Sequence, residues 1–98
     1  MWVLYRIDEI QSIVVTAAAA LPISKVTLVG SYAKNAATAG SDIDLIIDGE
    51  DLSDAYWDFL FALENAFSVK VDVVTARGVK NSSIGSSLAQ GGIILYET

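Results

Sequence analysis

A small α/β fold of the α+β kind is predicted: a mixed β-sheet of about four strands with helices mainly on one of its faces. Three observations predict it. Short β-branched and apolar runs recur along the chain, each run ends at a glycine or another turn residue, and segments with helical spacing separate them. The chain has 98 residues, room for one domain, so residues 1–98 are read as a single domain.

The first segment, about Leu4 to Ala20, reads as a helix. Tyr5, Ile7, Ile10, Val14 and Ala17 or Ala18 recur at helical spacing, and Pro22 stops the run. Val26 to Val29 is a buried strand ending at Gly30. Ser31 can then cap a short helix from Tyr32 to about Ala37, and residues 38–41 form a loop. Asp42 to Asp48 alternates as a strand, with Ile43, Leu45 and Ile47 on one face and Asp42, Asp44 and Ile46 on the other. Ser53 or Asp51 can cap a helix through about Phe67, marked by Trp57, Leu60, Phe61 and Glu64. Val69 to Thr75 is a third strand, with Lys70, Asp72 and Val74 sharing a face. Ala76-Arg77-Gly78 reads as a turn and Asn81 to Gln90 as a less regular helix, supported by Ile84 and Leu88. Gly91-Gly92 ends it before a last strand over Ile93 to Tyr96. The face of the sheet left open by the helices would carry Asp42, Asp44 and Asp72.

Composition removes whole classes of function. The net charge is −6, and the six Lys and Arg residues are scattered; binding of long nucleic acid needs them clustered. A nucleotide held through metal ions is still compatible, because the cation reverses the local sign. With no Cys and no His, disulfides, thiolate metal sites and a histidine base are excluded. Any metal must take oxygen ligands, which favours Mg²⁺, Mn²⁺ or Ca²⁺. The longest uncharged stretch near the start, Ile10 to Ser24, contains Gln11, Thr16 and Pro22 and falls short of the roughly 20 apolar residues of a membrane span. Asp8 and Glu9 spoil the basic start of a secretory signal. A cytoplasmic protein is expected. Apolar residues make up 53% of the chain, high for a small domain, which points to a surface covered by a partner.

The chemistry concentrates between Gly30 and Asp72. Two Asp residues at i and i+2 of a strand point the same way, with Cα atoms about 6.6 Å apart. Asp42 by itself is also explained as a residue that begins a strand and closes a turn. Asp44 is not: it sits inside a strand among isoleucines and leucine, where Asp is disfavoured. Like charges this close repel, and a divalent cation removes the conflict. Asp72 is a third acid in mid-strand, between valines. Gly30-Ser31, taken alone, is an ordinary capped turn. After a strand and before a helix it is also an anion site, with backbone N–H groups free and glycine allowing close approach. A phosphate cradle eleven residues before the first of two metal-type carboxylates suits metal-assisted phosphoryl or nucleotidyl transfer.

The segment from Gly30-Ser31 through Ser41-Asp42-Ile43-Asp44 resembles the signature of the DNA polymerase β-like nucleotidyltransferase superfamily. It is similar in particular to the MNT group of minimal nucleotidyltransferases, whose pattern is G-S-x-A-R-G-x-A-x-x-x-S-D-I-D. Gly30, Ser31, Ala33, Ala37, Ser41, Asp42, Ile43 and Asp44 match in register; Lys34 and Asn35 depart from it. Lys34 keeps the charge of Arg without its planar fork, and Asn35 tolerates a left-handed backbone where the family has Gly. The resemblance implies the polymerase β-like fold, with Asp42 and Asp44 binding two Mg²⁺ (or Mn²⁺) ions. It implies Asp72 as a ligand of the catalytic ion and base toward the acceptor hydroxyl. Gly30 and Ser31 would contact the phosphates of ATP or another nucleoside triphosphate, joined by Lys34 and Ser41, which are equally explained as a solvent-facing Lys and a turn Ser. Asp48, Asp51 and Asp54 are read as a solvated acidic rim.

The chain is too short to hold a second, acceptor-gripping domain, so the acceptor is expected to be a partner or to be held by one. MNT-like proteins commonly accompany small helical HEPN proteins as toxin and antitoxin, with AMP transferred to the HEPN ribonuclease. Resemblance therefore implies an antitoxin enzyme, in a homo- or hetero-oligomer. The alternative is a partner-binding module whose nucleotide site is vestigial or regulatory; a metal-dependent phosphohydrolase is a third reading, disfavoured by the absence of His and of further acidic ligands. Trp2, Val3, Trp57 and Phe61 are candidates for a partner surface or for plain core.

Overall fold

In the computed structural model, residues 3–80 and 92–98 are described. The elements in chain order are α1 (Ile7–Ala19), β1 (Ile23–Val29), α2 (Gly30–Ala33), β2 (Ile43–Gly49), α3 (Ser53–Ala66), β3 (Val71–Thr75), α4 (Ala76–Lys80) and β4 (Ile93–Glu97). They form one sheet of order β3-β2-β1-β4. β1 is antiparallel to both β2 and β4, and β2 is parallel to β3. A parallel pair cannot be closed by a hairpin, and α3 provides the crossover it needs.

One face of the sheet is buried under α1 and α3. Ile43, Leu45 and Ile47 of β2 enter that layer with Val26 and Leu28 of β1, Val71 and Val73 of β3 and Leu95 of β4. From above, α1 contributes Ile10, Val14 and Ala18, and α3 contributes Ala55, Phe59 and Leu63. Both triplets repeat every four residues, which puts each on one stripe of its helix. Phe59 is fully enclosed. A tyrosine ladder ties the entry of α1 to this core. The Tyr5 amide donates to Tyr32 Oη at 3.2 Å, Tyr5 Oη accepts from the Ser68 amide at 2.8 Å, and the Tyr5 ring meets Phe67 edge-on at 5.0 Å.

Several elements differ in extent from the sequence reading. α1 begins at Ile7, not Leu4, because Arg6 is extended and the Glu9 carboxylate reaches back to accept its N–H at 2.9 Å. β1 begins at Ile23 rather than Val26. Its polar residues Ser24 and Lys25 are recruited by partners on both sides, Lys25 standing opposite Asp48 and Glu97. β3 begins at Val71, not Val69, and β2 at Ile43. The expected turn at Ala76-Arg77-Gly78 is instead the start of α4, with the Gly78 amide donating to Thr75 Oγ1 at 3.1 Å. The helix expected over Asn81 to Gln90 lies outside the described residues, as does Trp2. Val3 is half-buried. Trp57 and Phe61, whose spacing marked α3 as helical, are on its outer side and more than half exposed, at 55% and 58%.

The other face of the sheet is buried at Val29 and Ile46 and exposed at Val74 and Ile94. It carries Asp44 and Asp72 in one cross-strand row and Ile94, Thr27, Ile46 and Val74 in the next. No described helix is long and apolar enough to cross a membrane.

Candidate active site

The site lies where β1 ends and β2 begins. Antiparallel pairing sets Val29 opposite Asp44, and the parallel register sets Asp44 opposite Asp72. The sheet therefore delivers the end of one strand and two carboxylates from its neighbours to one place.

Gly30 follows directly and turns the chain at φ +75°. Only glycine takes this region without strain. A second reason for glycine is contact: a Cβ here would overlap the carboxylate of Asp44, whose Cγ would be 3.2 Å away. The glycine and the mid-strand Asp, fourteen positions apart in sequence, thus touch.

α2 is a single turn, shorter than the helix expected over Tyr32 to Ala37. Its N-cap is Val29, with no side-chain cap, so Ser31 is not the capping residue; it lies inside the first turn, half-buried. Its hydroxyl is free of the capping role that would have occupied it. Tyr32 is buried and anchors the turn. Asn35 ends it at φ +55°, the left-handed conformation for which Asn substitutes best for glycine. The loop then closes on itself: Ser41 Oγ accepts from the Thr38 amide at 2.9 Å, and the Ser41 amide donates to Thr38 O at 3.0 Å. Ser41 is a loop clamp here, and Lys34 is exposed at the end of the turn.

Asp42 is exposed and precedes β2; Asp44 is partly buried. Burial pushes the Asp44 carboxyl above the ordinary carboxylate range, helped by the charges of Asp72 and Asp42 and by a hydrogen bond with Asp72. Lys70 opposes this. Its Nζ lies 3.6 Å from Asp72 Oδ1 in a largely exposed pair, worth little to stability. Among the described residues Lys70 thus joins the acidic pair, and the signal for it in the sequence is its i, i+2 spacing from Asp72 on an edge strand. Among the described residues no three acidic side chains converge as a finished metal cage. The structure brings Asp44 and Asp72 together, with Asp42 within electrostatic reach. The donors are all oxygen and mutually repulsive, and a hard divalent cation relieves that repulsion. Asp48, Asp51 and Asp54 are exposed and remote from this end of β2, as expected of a rim; Asp48 Oδ1 accepts its neighbour Gly49's amide at 2.9 Å.

A half-buried carboxylate pair thus lies beside a glycine turn on a small mixed sheet. The sequence profile of the nucleotidyltransferase domain family matches residues 7–95, and the chain belongs to that family; it is a nucleotidyltransferase. It is 26% identical over 72 residues to MJ1379 of Methanocaldococcus jannaschii, described as a candidate protein adenylyltransferase, covering 69% of this chain and 72% of that one. Two solved structures share the fold. One is a toxin–antitoxin with AMP-PNP, with a TM-score of 0.67 and 23% identity over 90% of this chain and 73% of the other. The second is a variant of the MntA–HpeT toxin–antitoxin with two Asp-to-Glu substitutions. It gives a TM-score of 0.68 and 21% identity over 97% of this chain and 75% of the other. The expected polymerase β-like fold is thereby met.

Proposed function

We propose that this chain, acting as one domain in the cytoplasm, transfers AMP from ATP to a hydroxyl group of a protein, and that the acceptor is a small helical HEPN-type toxin which the modification silences. The observation that carries the reading is the pairing of Asp44 with Asp72 beside Gly30. The description of MJ1379 as a candidate protein adenylyltransferase supports a protein acceptor. Likeness to toxin–antitoxin complexes, one of them with an ATP analogue, supports the setting.

Asp42 and Asp44 are the residues that would hold two Mg²⁺ or Mn²⁺ ions, with Asp72 sharing the one nearer the acceptor. When bound, such ions neutralise the triphosphate and make the acceptor hydroxyl more acidic. The chain's own groups do the rest. Gly30 lets the main chain lie against Asp44, and the backbone N–H groups of the Gly30-Ser31 turn and the Ser31 hydroxyl would donate to the β- and γ-phosphates. Lys34, exposed at the end of the turn, offers a further positive charge, and Ser41 keeps the loop closed beneath. The acceptor oxygen bonds to the α-phosphorus as the bond from that phosphorus to its bridging oxygen breaks. Pyrophosphate leaves with the electron pair, and the acceptor proton passes to the Asp72 carboxylate.

The test is label transfer to the partner from ATP labelled at the α- or the γ-phosphate. Label from the α position alone, with pyrophosphate released, is expected. Release of inorganic phosphate would favour a phosphohydrolase. A partner still silenced by the Asp44→Asn, Asp72→Asn double variant, with no label on it, would favour a binding module.

A further inference from the structure

The outer face of α3 is an aromatic surface with an acidic border. A 100° advance per residue places Trp57 and Phe61 directly opposite the stripe of Ala55, Phe59 and Leu63 that enters the core. Both rings therefore point away from the sheet. Trp57 and Phe61 lie one turn apart, with ring centroids 6.3 Å apart and planes 33° from parallel. Trp57 is braced from behind by Tyr56, edge-on at 5.0 Å, and Tyr56 is pinned by donating its hydroxyl to Val73 O at 2.8 Å. Tyr56 thus restricts the Trp57 ring, which reduces the side-chain entropy lost on binding. Such an outward pair is uncommon on a surface helix, where polar residues belong.

The border has one sign. Asp54, Asp58 and Glu64 are all exposed and lie three or four residues from the rings. No Lys or Arg occurs between Ser53 and Ala66. A second copy docking through the same face would oppose these three carboxylates with their own counterparts. A partner with apolar side chains flanked by Lys or Arg meets both features, and Arg also stacks on an exposed indole.

We propose that the outer face of α3 is a docking surface for a basic, amphipathic helix of a partner protein. This rests on the proposed function only in taking the partner to be a protein. The face is on the helical side of the sheet, away from Asp44 and Asp72, so docking here leaves the nucleotide site open.

The test uses the full chain carrying Trp2→Phe, which leaves Trp57 as its only indole. The probes are two synthetic amphipathic helices with the same leucine face, one flanked by Lys and Arg and the other by Glu. The basic helix is expected to shift Trp57 emission to the blue in a saturable manner, weakening as salt rises. Affinity should fall at least about tenfold in Phe61→Ser, and by a similar factor in the Asp54→Asn, Asp58→Asn, Glu64→Gln triple variant. Equal binding of the acidic helix would overturn the proposal. So would unchanged binding by Phe61→Ser, which would reduce the effect to diffuse attraction. A chain that dimerises through this face, shown by sedimentation and abolished by Trp57→Ser, would replace the proposal with self-association. Circular dichroism checks that the variants stay folded. Label transfer from ATP fails independently: a chain that binds the basic helix but transfers nothing contradicts the proposed function alone.

Discussion

The two faces of the sheet obey opposite rules. On the covered face, β2 presents Ile43, Leu45 and Ile47, all buried, each doing what strand propensity and burial ask of it. One residue along, the open face presents Asp44 between buried neighbours, beside a glycine at positive φ and opposite a second Asp. The first face makes the protein fold, and the second carries the proposed site at some cost to folding. Stability and activity should therefore separate cleanly by face.

The largest effect is expected on the open face. Asp44→Asn or Asp72→Asn should lower AMP transfer by at least about a thousandfold, since each removes charge where the reacting phosphate and its cations would sit. Asp48→Asn is the matched control. It is on the same strand and the same face, but exposed and satisfied by Gly49; transfer should change by less than about twofold. Equal losses at Asp44 and Asp48 would mean that overall negative charge, and not the pair, matters. Next in size comes the covered face. Phe59→Ala removes a fully enclosed ring and should cost about 3–5 kcal/mol in denaturant unfolding. The folded fraction should keep its activity per molecule.

Gly30→Ala tests the seam between the faces. The added methyl meets the Asp44 carboxylate, and φ +75° is strained for any L side chain. A loss of roughly 1–3 kcal/mol is expected, together with a fall in transfer, because Asp44 must move aside. A stable Ala variant with unchanged transfer would show that Gly30 is neither strained nor near the chemistry.

The same division explains what could be read from the sequence. The core strands and α3 were legible because burial on one side imposes a period of two or four, as in Ile43-Leu45-Ile47. The acids were legible for the reverse reason: Asp44 and Asp72 violate that pattern. The contact of Gly30 with Asp44 was not legible as geometry, since it depends on the antiparallel register of β1 with β2. Local spacing also misread α2. It favoured Ser31 as a cap and a helix to Ala37, whereas the left-handed Asn35 and the Thr38–Ser41 clamp end the helix early. The outward pair Trp57 and Phe61 shows why the sequence leaves partner surface and core both open. Hydrophobic residues at helical spacing are evidence for a helix, but only Ala55, Phe59 and Leu63 show which way that helix faces.

The smallest effect gives the sharpest comparison. Burial, then the charges of Asp72 and Asp42, raise the Asp44 carboxyl above its ordinary range. A carboxyl raised in the folded state favours folding while protonated and loses that contribution as pH climbs through the raised value. The protein without divalent cations is therefore held back at neutral pH by this carboxylate. Asp44→Asn removes the ionisation and should raise Tm there by roughly 2–4 °C, as expected for a partly exposed like-charge contact in a domain of this size. The gap should close as pH falls below about 4, where the parent's carboxyl is protonated as well. Mg²⁺ should raise the Tm of the parent and leave the Asn variant nearly unmoved, because binding to the folded state alone stabilises it. A parent that outlasts Asp44→Asn at neutral pH without Mg²⁺ would mean that the fold itself satisfies this carboxylate, and the open face would then be a structural surface like the covered one.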